Sequence, residues 1–253
     1  METIHILRSN LKSLKMPGIM ENLDIRLQQA SETKMSYLDF LSLLIQDERS
    51  QRDSNQINKL LRQAGFGQER TFEGFDFSFN KNDFPERVIH DLGTCSFIDF
   101  GKNVVIAGPP GIGKTHIAKA IGHEACRRKK HVVYKNIYDL FSELRRARTD
   151  QHYERLIKKN IRCDLLILDD FALRKFTQEE IDILYSIVDS RHDYKSVILT
   201  SNRPPEDWIG VFPDMVVGGA ILDRLVSGAI KIIVKNAKSF RKEGKKKEVN
   251  ADN

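Results

Sequence analysis

The chain has 253 residues, 40% hydrophobic and 30% charged, with a formal net charge of +6. That composition suits one large folded domain, or one with a small appendage, and excludes a chain too polar to bury a core. No run approaches the roughly 20 apolar residues that a bilayer crossing needs. The opening METIHILRSNLKSLK breaks its apolar positions with charge, so no secretory leader is expected either. Cys95, Cys126 and Cys163 are odd in number and lack metal-ligand spacing, which points to free thiols in a reducing, cytoplasmic setting.

The first seventy residues read as helical. Ile4, Leu7, Leu11 and Leu14 recur at helical spacing, and Met16-Pro17-Gly18 then punctuates the chain. Met20, Leu23 and Leu27 continue a second helix. Ser36 with Asp39 three residues on resembles a capping box, and the helix it opens is expected to bury Leu38, Leu41, Leu44 and Ile45. Polar residues 46–59 lead to Leu60, Leu61 and a Gly65-Phe66-Gly67 stop. Without a strand candidate, residues 1–70 are read as a small helical domain that binds a partner or DNA.

Residues 71–83 carry Phe72, Phe75, Phe77 and Phe79 in an irregular context, and are read as a linker whose aromatics dock on the next domain. Beyond them, short apolar runs alternate with helical stretches. Asn103–Ala107, His131–Lys135, Asp164–Asp169, Ser196–Ser201 and Ala229–Val234 are the strand candidates. Apolar strands with helical spacers predict a parallel sheet covered by helices on both faces. This α/β domain is assigned residues 84–241, and the Lys/Arg-rich residues 242–253 a disordered tail.

One motif carries chemistry. Gly108-Pro109-Pro110-Gly111-Ile112-Gly113-Lys114-Thr115 fits G-x-x-x-x-G-K-[ST], with the apolar Val104–Ala107 before it and a helical pattern from His116 to Arg127 after it. Glycines let main-chain N–H groups turn onto phosphates, and the helix start adds partial positive charge. Lys114 can reach the β- and γ-phosphates, and the Thr115 hydroxyl can bind Mg²⁺. Leu165-Leu166-Ile167-Leu168-Asp169-Asp170 supplies the carboxylate strand such a site needs, with Asp169 at the Mg²⁺ shell and Asp170 beside the attacking water. A paired Asp that merely ends a strand and caps a helix is the bland alternative. Asn202, closing Val197–Asn202, could orient water or meet the γ-phosphate, although turn chemistry before Pro204-Pro205 explains it equally well.

With GPPGIGKTHIAKAIG (108–122), LLILDDFAL (165–173), TSNRPPEDW (200–208) and ILDRL (221–225), residues 72–241 resemble the AAA+ ATPases. Within them the chain looks like the IstB-type transposition helper ATPases, relatives of the DnaC/DnaI helicase loaders. The resemblance implies a P-loop fold with a five-stranded parallel sheet, ATP and Mg²⁺ as cofactors, and a cradle running from Gly108 to His116. It makes Lys114 and Thr115 the Walker A pair, Asp169 and Asp170 the Walker B pair, and Asn202 the first sensor. Arg224 matches an arginine finger that reaches a neighbouring subunit's nucleotide, against the bland reading of a surface ion pair. Arg241 aligns loosely with a C-terminal arginine of these families. A helical lid is not expected after it. The family norm at position 170 is Glu; Asp is one methylene shorter, which predicts modest turnover, suited to a timer or clamp.

Charge is uneven along the chain. Residues 1–70 hold ten Lys/Arg against nine Asp/Glu, whereas residues 126–160 hold eleven against four. Arg145, Arg146, Arg148, Arg155, Lys158 and Lys159 fall in the region where replication-initiator AAA+ proteins carry an extra helical insertion. Such residues, repeated by each subunit of a helical or ring-like homo-oligomer, would track the phosphates of duplex DNA. The expected role is recruitment or activation of a transposase on that DNA. A helicase loader on single-stranded DNA and a non-hydrolysing nucleotide-gated adaptor remain open. His116 and His123 lack partners for a metal site. Trp208 is read as packing, as are Phe72 and Phe75 unless they border the adenine.

Overall fold

A computed structural model describes residues 2–78, 85–148, 152–235, 237 and 239–240. Phe79, Arg241 and the tail 242–253 lie outside them. The chain divides into two compact units, residues 1–59 and 60–253.

The first unit holds helices α1 (Glu2–Ser13), α2 (Pro17–Thr33) and most of α3 (Tyr37–Ala64). Proline at the first position of α2 costs nothing there, because that N–H has no helical partner. No side chain of its own caps α2. Instead Glu48, buried on α3, accepts the N–H groups of Gly18 (2.8 Å) and Ile19 (3.3 Å) and the Arg52 guanidinium (2.6 Å). Burial pushes the Glu48 carboxyl up, but Arg52 and those two N–H groups outweigh it and hold it below its ordinary range. Ser36 caps α3 as the sequence suggests, accepting the Asp39 N–H at 3.2 Å.

The core of this unit is smaller than the sequence reading. Leu11, Ile19, Leu23 and Leu44 are buried together. Leu38, Leu41 and Ile45 are exposed at 76%, 56% and 59%, so of the four α3 residues expected inside only Leu44 is. Leu7, Leu14 and Leu27 are exposed as well. Three thin helices enclose a single narrow stripe, and a second apolar stripe on the same helices finds no cover within the unit.

The second unit begins with the last turn of α3, then α4 (Glu86–Gly93) and α5 (Ser96–Asp99). A doubly wound series comes next: β1 (Val104–Ala107), α6 (Lys114–Arg127), β2 (Val132–Asn136), α7 (Ile137–Ala147), α8 (Tyr153–Arg162), β3 (Leu165–Asp169), α9 (Gln178–Arg191), β4 (Ser196–Ser201), a 3₁₀ turn (Pro205–Val211), α10 (Met215–Val226) and β5 (Ile230–Ile233). All five strands are parallel in the order β2-β3-β4-β1-β5, and each lies within a residue or so of its predicted bounds.

Strand alternation explains the continuous apolar runs. Val105, Val133, Leu166, Leu168, Val197 and Leu199 face a layer that includes α7, α9 and α10. Val104, Ile106, Val132, Leu165, Ile167 and Ile198 face the opposite layer, with α6, α4 and the end of α3. With both faces covered, neither register of a strand can be polar. Phe72, Phe75 and Phe77 dock on the second of these layers, as the linker reading expects. Trp208 is fully buried and its Nε1–H donates to the Arg203 carbonyl at 3.0 Å.

Arg191 is 1% exposed on α9. Its guanidinium donates to the main-chain oxygens of Asn160 (2.7 Å), Ile161 (3.0 Å), Cys163 (3.0 Å) and Ser196 (2.6 Å). One buried cation thus satisfies the end of α8 and the entry to β4, where carbonyls would otherwise be stranded. The three cysteines are buried and unpaired, and burial pushes their thiols up, Cys95 to about 11 and Cys126 to about 12. They are packing residues with little thiolate character.

Candidate nucleotide site

Because β4 inserts between β1 and β3, the carboxyl ends of those three strands lie side by side. The loop after β1, Asp169 at the end of β3 and Asn202 after β4 therefore meet at one edge of the sheet, where the crevice of an open α/β sheet forms. A cavity of about 560 Å³ there is lined by Pro110–His116, Lys119, Asp169, Asp170, Asn202, Phe75, Phe77 and Phe240, among others. That is room for a nucleotide.

The loop shows why its glycines are required. Gly113 has φ +104°, and a Cβ there would sit 2.5 Å from the Phe75 ring. Gly111 has φ +82°, and a Cβ would collide with the Ser239 hydroxyl. Phe240 then donates its N–H to the Gly111 carbonyl at 3.0 Å, so Ser239 and Phe240 lie against the loop. Lys114 is buried, its Nζ donating at 2.8 Å to the carbonyls of Gly108 and Pro109 and to Asn202 Oδ1. A buried ammonium at the start of α6, turned to the loop carbonyls, stands where it would meet a phosphate held on the loop.

Asp169 is 5% exposed. Its carboxylate accepts the hydroxyl of Thr115, at 2.9 Å to Oδ1, and that of Thr200 on the same oxygen. Tyr134 OH donates to Oδ2 at 2.6 Å. Burial, followed by the bond to Asp169, pushes the Tyr134 phenol far above its ordinary value, so it stays a donor. The adjoining Thr115 hydroxyl and Asp169 carboxylate are hard oxygen donors, the set Mg²⁺ takes alongside phosphate oxygens. These residues fit that ion.

Asp170 has φ +59°, an uncommon conformation for a residue with a Cβ. Its N–H donates to Thr200 Oγ1 (3.2 Å), and its Oδ2 accepts the Asn136 side-chain N–H at 2.9 Å. Asn136 also caps α7, its Oδ1 accepting the Tyr138 N–H. The left-handed turn thus places Asp170 in the cavity beside Asp169.

Lys114, Thr115, Asp169, Asp170 and Asn202 therefore converge. The His116 ring turns instead to the Thr71 carbonyl at 2.7 Å and meets Phe75 edge-on, which ties down the linker and leaves its main-chain N–H at the start of α6 for phosphate. Arg224 does not line the cavity. It sits on α10 with Nη2 3.0 Å from Asp189 and its guanidinium over the Tyr185 ring. Tyr134, Asn136, Thr200 and Lys119 belong to the site without having been singled out by sequence. Lys119 lies 4.3 Å above the Tyr134 ring and donates to the Phe66 carbonyl at 2.6 Å. The strand register brings in Tyr134, Asn136 and Thr200, Asn136 lying opposite Asp169, whereas Lys119 comes from α6; only Asn136, ending a strand before a helix, left a trace in the sequence.

Residues 9–248 match the family described as IstB-like ATP binding protein. The chain belongs to that family. It is 37% identical over 229 residues to an ATP-binding protein in an insertion sequence of Mycobacterium tuberculosis, spanning 90% of this chain and 91% of that one. It is 31% identical over 244 residues to the ATP-binding protein of insertion sequence IS21 from Pseudomonas aeruginosa, spanning 96% and 91%. Among solved structures, the DnaC helicase loader superposes with a TM-score of 0.54 at 18% identity, covering 68% of this chain and 97% of that one. AMPPCP-bound DnaA from Aquifex aeolicus superposes at 0.57 with 22% identity, covering 74% and 56%. The IstB-like chain thus shares the P-loop fold of these structures and is an ATPase, and the cavity at the β1 loop is its candidate nucleotide site. Among the described residues no helix is long and apolar enough to cross a membrane.

Proposed function

We propose that this IstB-like ATPase assembles on duplex DNA in its ATP-bound state and recruits or activates a transposase, hydrolysis then releasing the assembly. The observation that carries this reading is kinship with ATP-binding proteins of insertion sequences over 90% or more of this chain, joined to a cavity that gathers Lys114, Thr115, Asp169, Asp170 and Asn202. Lys114 and the N–H groups from Gly111 to His116 bind the phosphates. Thr115 and Asp169 would hold Mg²⁺, which supplies charge neutralisation at the β- and γ-phosphates when bound. Asp170 orients the attacking water, and Asn202, freed from Lys114, reports on the γ-phosphate.

Arg224 reaches the neighbouring subunit's phosphates. Its present partner, Asp189, is half exposed, and an ion pair of that kind is worth about 0–1 kcal/mol, so a phosphate in a desolvated subunit interface displaces it readily. The DNA face lies on α7 and α8. Arg145 pairs there with Glu179 (3.4 Å) and Glu180 (3.6 Å), Arg148 with Glu179 (2.7 Å) and Lys158 with Glu154 (2.8 Å). The exposed pairs of Arg148 and Lys158 exchange for DNA phosphates at small cost, with Arg146 beside them on α7, while Arg145 leaves a buried Glu180 that keeps Arg174 at 2.8 Å.

Reversing Arg145, Arg146 and Arg148 together tests the DNA assignment. Duplex affinity falls and the slope of log affinity against log salt flattens; an unchanged slope removes these residues from the DNA face. Preference for single strands, with capture of a hexameric helicase instead of a transposase, would favour a loader.

A further inference from the structure

A second concave site lies in the ATPase unit, away from the nucleotide. The end of α3 (Leu60, Gln63), the start of β2 (His131–Val133) and α8 (Arg155, Leu156, Lys159, Arg162, then Cys163) enclose a cavity of about 650 Å³. We propose that this groove binds an acidic, extended peptide segment of a partner protein, added as a short strand to the free edge of β2.

Three observations converge. The floor is apolar: Leu60, Val132, Val133 and Cys163 are buried and Leu156 half-buried. The rim is cationic, because Arg155, Lys159 and Arg162 are exposed at i, i+4 and i+7 spacing on α8 and so share one stripe. Arg145, Arg148, Lys158 and Lys195 are each paired to a carboxylate, yet among the described residues no carboxylate pairs with Arg155, Lys159 or Arg162, and none lines the groove. His131, the remaining basic residue there, is beside Asp164 at 3.5 Å.

The third observation is main-chain. Among the described residues β2 ends the sheet and pairs only with β3. The His131 carbonyl accepts the Leu165 N–H, so by strand alternation Val132 turns its N–H and C=O outward. Farther along the strand, the Gly65 turn approaches the Tyr134 carbonyl, so the open length is the stretch beside α8. An exposed strand edge with cationic flanks is a natural acceptor for β-augmentation. A peptide alternating apolar and acidic residues uses everything present: hydrogen bonds at Val132, contact with the floor, and ion pairs at the rim. A DNA backbone would use the cations but leave the strand edge and the apolar floor idle. This assigns Arg155 and Lys159 to the peptide and leaves the DNA face to the remaining basic residues of α7 and α8.

The probe is a fluorescein-labelled octapeptide alternating Val and Glu, with Gly–Glu and Val–Lys octapeptides as controls, read by fluorescence anisotropy on the full chain. The Val–Glu peptide binds saturably and protects the amides of residues 131–133 from hydrogen exchange. The triple variant R155E/K159E/R162E, whose melting temperature stays at the wild-type value because all three side chains are solvent-facing, loses about tenfold or more in peptide affinity. Excess duplex DNA leaves the peptide bound. The proposal is overturned by no saturable binding at millimolar peptide, by equal affinity for the Gly–Glu peptide, by an unaffected triple variant, or by displacement with duplex DNA. Peptide binding and its loss in the triple variant are read without ATP or DNA, so failure there is separable from failure of the proposed function.

Discussion

Replacing Tyr134 with Phe removes one hydroxyl from the ATPase site and nothing else. The lost bond runs at 2.6 Å to a buried carboxylate oxygen of Asp169. Hydrogen bonds to charged groups contribute about 1.5–3 kcal/mol. Asp169 retains Thr200 on its other oxygen and Thr115 on both, at 2.9 and 3.1 Å, so the carboxylate stays in place with one longer bond left on the oxygen that loses Tyr134. The lower end of the range applies, and about 1.4 kcal/mol corresponds to a tenfold change. The Tyr134→Phe variant is therefore expected to hydrolyse ATP about tenfold more slowly and to bind Mn²⁺, followed by electron paramagnetic resonance, correspondingly more weakly in the presence of nucleotide. Metal-free nucleotide affinity should hold, and the melting temperature should fall by only a few degrees. Because burial and Asp169 keep the phenol protonated far above its ordinary value, the deficit should be the same from neutral to mildly alkaline pH. Wild-type hydrolysis and Mn²⁺ affinity in this variant would refute the positioning role.

Other expectations rest on the same geometry. Lys114→Ala removes the buried ammonium that anchors Gly108, Pro109 and Asn202, and equilibrium dialysis should show nucleotide binding lost; retained affinity would mean the cradle works without it. Arg191→Met leaves the carbonyls of Asn160, Ile161, Cys163 and Ser196 without their donor, and a buried acceptor left unsatisfied costs about 1–3 kcal/mol, visible as a lower urea midpoint. A midpoint within error of wild type would mean that water replaces the guanidinium. Glu48 titrates below its ordinary 4.5, so its contribution is complete above that pH and is lost as pH falls through the depressed value. Acid unfolding of the isolated segment 1–59, if it folds alone, should therefore begin below pH 4.5, and Glu48→Gln should flatten that limb while lowering stability at neutral pH. An unchanged acid limb would take Glu48 out of the titration.

Much of the ATPase unit was legible because its signals are local. Four- to six-residue apolar runs can only be strands covered on both faces, and the loop after β1 announces itself through Gly108, Gly111 and Gly113. Lys114, Thr115, Asp169, Asp170 and Asn202 each stand at the end of such a strand or the start of the helix after it, and parallel strands bring those ends to one edge of the sheet. Tyr134 and Thr200 were not legible, because what makes them site residues is that β2 and β4 flank β3 in a particular register. Arg224 shows the same limit: a motif names the residue, while its contact with Asp189 depends on how α10 meets α9. In the helical unit, amphipathic spacing revealed apolar stripes on α1 and α3 but not that Leu38, Leu41 and Ile45 lie uncovered there. Periodicity reports which side of a helix is apolar and is silent on what, if anything, packs against it.

The central claim is that triphosphate at the β1 loop drives assembly on duplex DNA. Sedimentation velocity of the purified chain with Mg²⁺, a slowly hydrolysed ATP analogue and duplex DNA at low salt tests it most directly. A large nucleoprotein species that forms only with nucleotide, and that both Lys114→Ala and Arg224→Ala abolish, is the predicted result. A chain that stays monomeric under those conditions, or that assembles equally well without nucleotide, contradicts the account.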